Sequence, residues 1–158
     1  MKWVALLLVT ATPALAEDYD PAILEACLGS RPPDKAEVCI GLGARACLET
    51  EAGRTTPGVG YCYGAEWEDW DARLNAVYAA LIPQLRELDA DNAGGPLDLP
   101  SSEEALRRAQ RAWIAFRDAA CDWEYTRWSG GTGGGPASAE CMMRLTAQQT
   151  LFLQDRLW

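Results

Sequence analysis

Apolar residues recur at spacings of three and four along most of this chain, the period of one helix face. Trp67, Trp70, Leu74, Val77, Leu81, Leu85 and Leu88 form the longest series. It predicts a long helix. Pro83 should kink or break that helix, because proline lacks a donor N–H and crowds the previous turn. Leu106, Ala109, Trp113, Phe116 and Ala120 form a second series. Ser101 and Glu104 make a capping box at its start, so this helix runs from near Ser101 to near Trp128. A last helix carries Met142, Leu145, Phe152 and Leu153. Residues 53–60, 91–99 and 129–136 read as loops. Upstream, residues 20–50 read as two short helices. Pro21 starts the first. Asp34 caps the second, which runs through Val38, Leu42 and Ala46 towards Leu48. No sustained alternation argues for a sheet. The predicted fold class is all-α: a small antiparallel helical bundle with a short helical hairpin at its N-terminal side. Two long helices should pair, with a third packed across them.

Residues 1–16 break the pattern. Lys2, the apolar run WVALLLV and then Ala14-Leu15-Ala16 have the order of an export signal cleaved after Ala16. The run is too short to span a membrane, and no other long apolar stretch exists, so no membrane insertion is expected. The first cysteine is Cys27, which leaves none at the cleavage site to carry a lipid. The expected mature chain, residues 17–158, is one domain. Within it, 17–50 form an N-terminal helical extension and 62–158 the core region. The expected location is the periplasm or the extracellular space.

Losing Lys2 takes the net charge from −9 to −10. That excludes a nucleic-acid partner, which needs a basic face. It suits a basic protein drawn in by long-range attraction, and equally a soluble exported chain that repels itself. All six cysteines lie in the mature part, and an even count in an exported chain predicts disulfides. Local pairing would join Cys27 to Cys39, Cys47 to Cys62 and Cys121 to Cys141, each across one loop. It is one of fifteen connectivities. No cysteine pair has C-x-x-C spacing and the chain has no histidine, so neither a metal nor a cofactor is expected.

The absence of histidine removes Ser-His-Asp and Cys-His machinery. An enzyme here would need carboxylates. Glu66, Glu68, Asp69 and Asp71 cluster, and a spaced pair of acids can hydrolyse a glycoside. These acids alternate with Trp67 and Trp70 near a helix start, where acids favour the dipole and solvent. The residues therefore favour no catalytic role. The glycines at 130, 131, 133, 134 and 135 lack the Lys and Ser/Thr of a phosphate loop.

An ordered set of short matches runs from Cys62 to Cys141. It comprises Cys62, Trp70-Asp71, Leu74-Asn75 and Tyr78, then 109–114 (AQRAWI), Phe116-Arg117-Asp118, Cys121 and Glu124. Gly130-Gly131-Thr132, Cys141 and Leu145-Thr146 complete it, together with the pair Cys47 and Cys62. In these residues the chain resembles the LprI-type lysozyme-inhibitor family. The resemblance implies a helical fold, an envelope location and a lysozyme-type muramidase as partner. It carries over no contact residues. Trp70, Asp71, Leu74, Asn75, Tyr78, Gln110, Arg111, Trp113, Phe116, Arg117 and Asp118 read as structural members of the motif. Trp113 and Arg117 lie one turn apart and can form a cation–π pair. Gln110, Asp118 and Asn75 can form a polar network between the two long helices. The chain departs from the family in the extra Cys27/Cys39 region and in lacking the lipoprotein cysteine of some members.

The functional expectation is an exported protein that binds and inhibits a muramidase. The alternatives are an envelope module with another partner and a carboxylate-dependent glycan hydrolase. Arg127 and Trp128, beside the glycine-rich loop, are the candidate contacts, because arginine and tryptophan are common interface anchors. An ordinary cation at a helix C-terminus is the plainer reading of Arg127.

Overall fold

The computed structural model describes residues 19–93, 95–96 and 99–157. The segment read as an export signal lies outside these residues. Five α-helices and one 3₁₀ helix make up the ordered elements, with no strand among the described residues, so the all-α expectation holds. α1 is Pro21–Gly29 and is followed by the 3₁₀ helix Pro33–Cys39; α2 is Leu42–Leu48. α3 is Thr56–Asn92, α4 is Ser102–Thr126 and α5 is Gly134–Gln154.

Several boundaries differ from the expectation for local reasons. The second short helix is split in two. Asp34 lies inside the 3₁₀ helix, whose cap position is Pro32, and Gly41 precedes α2 with φ of 78°. A left-handed residue cannot sit inside a right-handed helix, and glycine adopts that conformation without a Cβ clash. α3 begins inside the expected 53–60 loop, because the Thr55 side chain accepts a 3.0 Å hydrogen bond from Gly58 N–H. α3 also passes Pro83 without ending. The carbonyl that loses its partner there belongs to Ala79, which is exposed, so water can serve it.

α4 starts where expected, but its cap comes mainly from another helix. Ser101 Oγ accepts from Glu104 N–H at 3.1 Å and donates to Asp89 Oδ2 at 2.7 Å. Asp89, near the end of α3, also accepts from Ser102 N–H at 2.7 Å and Glu103 N–H at 3.1 Å. Glu104 pairs instead with Arg108 at 3.6 Å.

The expected pairing of the two long helices is the larger correction. α3 and α4 both pack chiefly against α5 and meet each other less. Trp70, Leu24, Cys39, Met143 and Ala147 form one core, joining α1, the 3₁₀ helix, α3 and α5. Leu74, Leu81 and Leu153 form another, flanked by Val77, Tyr78, Leu106 and Trp113. The disulfides Cys27–Cys39, Cys47–Cys62 and Cys121–Cys141 tie α1 to the 3₁₀ helix, α2 to α3 and α4 to α5.

The bridge to Cys141 also fixes how α4 is rotated. Cys121 must face α5. Phe116 lies five residues earlier, about 140° round the helix, and therefore points outward at 61% exposure. Ala109 is exposed as well. The face turned inward carries Leu106, Gln110, Trp113, Arg117, Ala120 and Cys121, which are half-buried or buried. Phe152 and Leu88, also expected inside, are exposed.

Three donors, the Ser101 hydroxyl first, hold the Asp89 carboxyl below the usual carboxylate range. A folded pKa below the unfolded one gives stability that is complete above the unfolded value and is lost as pH falls through the folded one. The parent protein should therefore lose stability in acid more steeply than Asp89→Asn does. Chemical unfolding at a series of pH values compares the two slopes; parallel curves would remove Asp89 as a cap.

Candidate functional site

Glu66 is the one fully buried carboxylate among the described residues. Its Oε1 accepts from Gly41 N–H at 2.6 Å and from Trp70 Nε1–H at 3.0 Å. Its Oε2 accepts from Ala44 N–H at 2.7 Å. Gly41 is the cap residue of α2 and has no side chain to cap with, so Glu66 of α3 supplies the missing acceptor from outside. The expectation that this acid faces solvent is thereby corrected.

Its neighbours are also engaged. Asp69 accepts from Tyr19 Oη–H at 3.1 Å and from Arg73 Nε–H at 3.0 Å, and Arg73 reaches Glu25 at 2.6 Å. Burial first, then the charges of Asp69 and Glu66, pushes the Tyr19 hydroxyl far up. Asp71 accepts from Asn75 at 2.9 Å and lies 3.9 Å from Arg117. Glu68 is exposed. A buried, fully bonded Glu66 reaches neither water nor substrate, so it cannot serve as one member of an acid–base pair.

The motif residues fall into two sets. Trp70 and Leu74 are buried, one in each core, and Tyr78 and Trp113 are half-buried against the core of Leu74. The Arg117 guanidinium stands 5.0 Å from the centre of the Trp113 ring and binds Asp118 at 2.8 Å. The expected network of Gln110, Asp118 and Asn75 does not form. Gln110 accepts from Gln149 of α5 at 3.0 Å, Asp118 binds Arg117 and Asn75 binds Asp71. Asn75 and Asp118 are still linked across α3 and α4, through Asp71 and Arg117 at 3.9 Å, while Gln110 stands apart because α5 supplies its partner. Arg111 is exposed.

A groove of about 410 Å³ lies between the first turns of α3 and α5. Val59 and Tyr63 line one wall, Pro136 and Ala137 the other. Arg54 and Glu140 add one charge of each sign. Burial, then Glu140, raises the Tyr63 hydroxyl pKa. Trp128 also lines the groove and is half-exposed. Its ring lies against Gly133, where a Cβ would come within 2.3 Å of it. Arg127 goes elsewhere, binding Glu124 at 2.8 Å with its guanidinium 5.3 Å from the Trp123 ring centre. The two candidate contacts thus share one end of the molecule but have different neighbours. The sequence marked that end only through its glycines; nothing in the period of α3 or α5 announced a groove.

No cluster of three or more His, Cys, Asp or Glu residues able to hold a metal occurs among the described residues. No helix among them is long and apolar enough to cross a membrane.

The family model described as Lysozyme inhibitor LprI matches residues 47–153, from the second half of α2 to the last turn of α5. An uncharacterized protein of Rhizobium meliloti (strain 1021) is 28% identical over 94 residues, which is 60% of this chain and 68% of that protein. No solved structure matches.

The packing of Trp128 on Gly133 yields a direct expectation. Gly133→Ala should push the indole off the helix start and leave the core intact. The Trp128 indole N–H resonance should move while the melting temperature falls by no more than a few degrees, the shift expected for about 1 kcal/mol. An unmoved resonance would show that the ring does not rest there.

Proposed function

The chain belongs to the lysozyme inhibitor LprI family, and from that premise we propose that it is an exported protein that binds and inhibits a lysozyme-type muramidase. The match over residues 47–153 carries this reading. Other observations support it. Three disulfides suit an oxidising compartment outside the cytoplasm. Residues 1–16 have the order of an export signal, which makes the periplasm or the extracellular space the place of action and 17–158 the working unit, a single domain. A net charge of −10 after signal removal would draw in a basic muramidase. In this reading the chain acts by binding and not by hydrolysis: Glu66 is committed to α2, Asp69 to Tyr19 and Arg73, and Asp71 to Asn75.

The contact surface is the end of the molecule that holds Trp128, the groove and Arg127. Muramidase clefts carry carboxylates, which would compete with Glu124 for the exposed Arg127 guanidinium. Trp128 offers a half-exposed aromatic anchor beside it.

In a lysozyme turbidity assay the mature protein should slow clearing and form a stoichiometric complex. Trp128→Ala should weaken that complex about tenfold or more. Arg127→Ala should raise the dissociation rate, whereas added salt should mainly slow association. Unimpeded clearing with no complex would refute inhibition. Clearing by this protein alone would make it a hydrolase instead.

A further inference from the structure

The outward side of α4 carries a second apolar series that no part of this chain covers among the described residues. Ala105, Ala109, Ala112, Phe116, Ala119 and Trp123 are all exposed, Phe116 at 61% and Trp123 at 62%. Their spacing is 4-3-4-3-4 along about 27 Å of helix. A sustained alternation of three and four is the seam of a helix pair. The rotation set by Cys121–Cys141 turns this seam away from α5, so it contributes nothing to the core.

Two features name the occupant. First, the spacing reads the same in both directions. An antiparallel copy centred between Ala112 and Phe116 sets Trp123 opposite Ala105, Phe116 opposite Ala112 and Ala109 opposite Ala119. Every aromatic ring then meets a small residue, which is how facing helix surfaces interdigitate. A parallel copy would set ring against ring. Second, the flank just before the seam positions carries Arg108, Ala115 and Asp122. In an antiparallel pair these flanks face each other, so Arg108 of one copy meets Asp122 of the other, twice by symmetry. Asp122 has no ion-pair partner among the described residues, and Arg108 has only an exposed contact to Glu104 at 3.6 Å. The opposite flank, Leu106, Trp113 and Ala120, is half-buried within the domain, so pairing disturbs no existing packing.

We propose that this stripe is a self-association surface, through which two copies of the chain form a closed two-fold dimer by antiparallel pairing of α4. Trp128 and the groove lie outside the seam; the two surfaces adjoin only where the Arg127 guanidinium stands 5.3 Å from the Trp123 ring centre, and Arg108 and Asp122 belong to the seam alone.

Sedimentation velocity of the oxidised mature protein tests it. The parent should pass from monomer to dimer with rising concentration, reaching dimer at or below the order of 100 µM. Trp123→Ala should raise the dissociation constant about tenfold or more. Asp122→Arg and Arg108→Asp should each weaken the dimer several-fold, and combining them should restore it. That rescue is the reading which a merely structural role for either residue would not give, and circular dichroism checks that each variant keeps its helices. A parent that stays monomeric throughout, or a dimer indifferent to the single reversals, or a double variant that fails to recover, would overturn the proposal.

Discussion

The buried carboxylate of Glu66 is the interaction on which the assembly of this fold depends. Placing an ionised group where no water reaches it is strongly unfavourable unless donors replace the water. Three donors do so here, two backbone N–H groups of the α2 start and the Trp70 indole. Hydrogen bonds to a charged acceptor are the stronger kind. Trp70 extends the connection. Its backbone carbonyl lies 3.3 Å from Thr150 Oγ1, whose single proton has the Thr146 carbonyl at 2.8 Å as its nearer acceptor, so α5 borders the same polar cluster inside the core. Cys47–Cys62 closes the same junction covalently. The short N-terminal helices have little surface of their own to bury; these ties are what attach them to the long ones.

Covalent geometry then decides what faces out. Cys121–Cys141 sets the rotation of α4, and with it the division of its apolar residues into an inward face and an exposed seam. The same bridge closes the turn that places Trp128 over the start of α5. The exposed seam and the placement of Trp128 thus both follow from one crosslink. Family membership supplies the function at the level of lysozyme inhibition, and the Trp128 end is the proposed place for it to act.

Helix existence was legible because α3, α4 and α5 repeat apolar residues over many turns, and Ser101 located the α4 start to within a residue. The bridges join cysteines on either side of single short segments, so spacing carried that information too. What escaped was non-local or rotational. The left-handed Gly41 looks like any glycine. Asp89 caps a helix 12–14 residues away, a relation no local capping rule describes. Phe116 and Ala109 fit the period of a core face as well as that of the seam beside it, and only the disulfide partner chooses between them. Glu66 did leave a signal, since it lies four residues after Cys62 and four before Trp70, both core positions. Placed among acids of one cluster, it read as solvated; placed on its helix face, it reads as buried.

The clamp is tested most directly by Glu66→Gln with all three disulfides intact. The amide keeps one acceptor and turns an NH₂ group towards a backbone N–H that has lost its partner. Urea unfolding should show a loss of about 2–4 kcal/mol, with faster hydrogen exchange at Gly41 and Ala44. A loss within about 0.5 kcal/mol, with both amides still protected, would contradict the account and reduce Glu66 to an incidental buried acid.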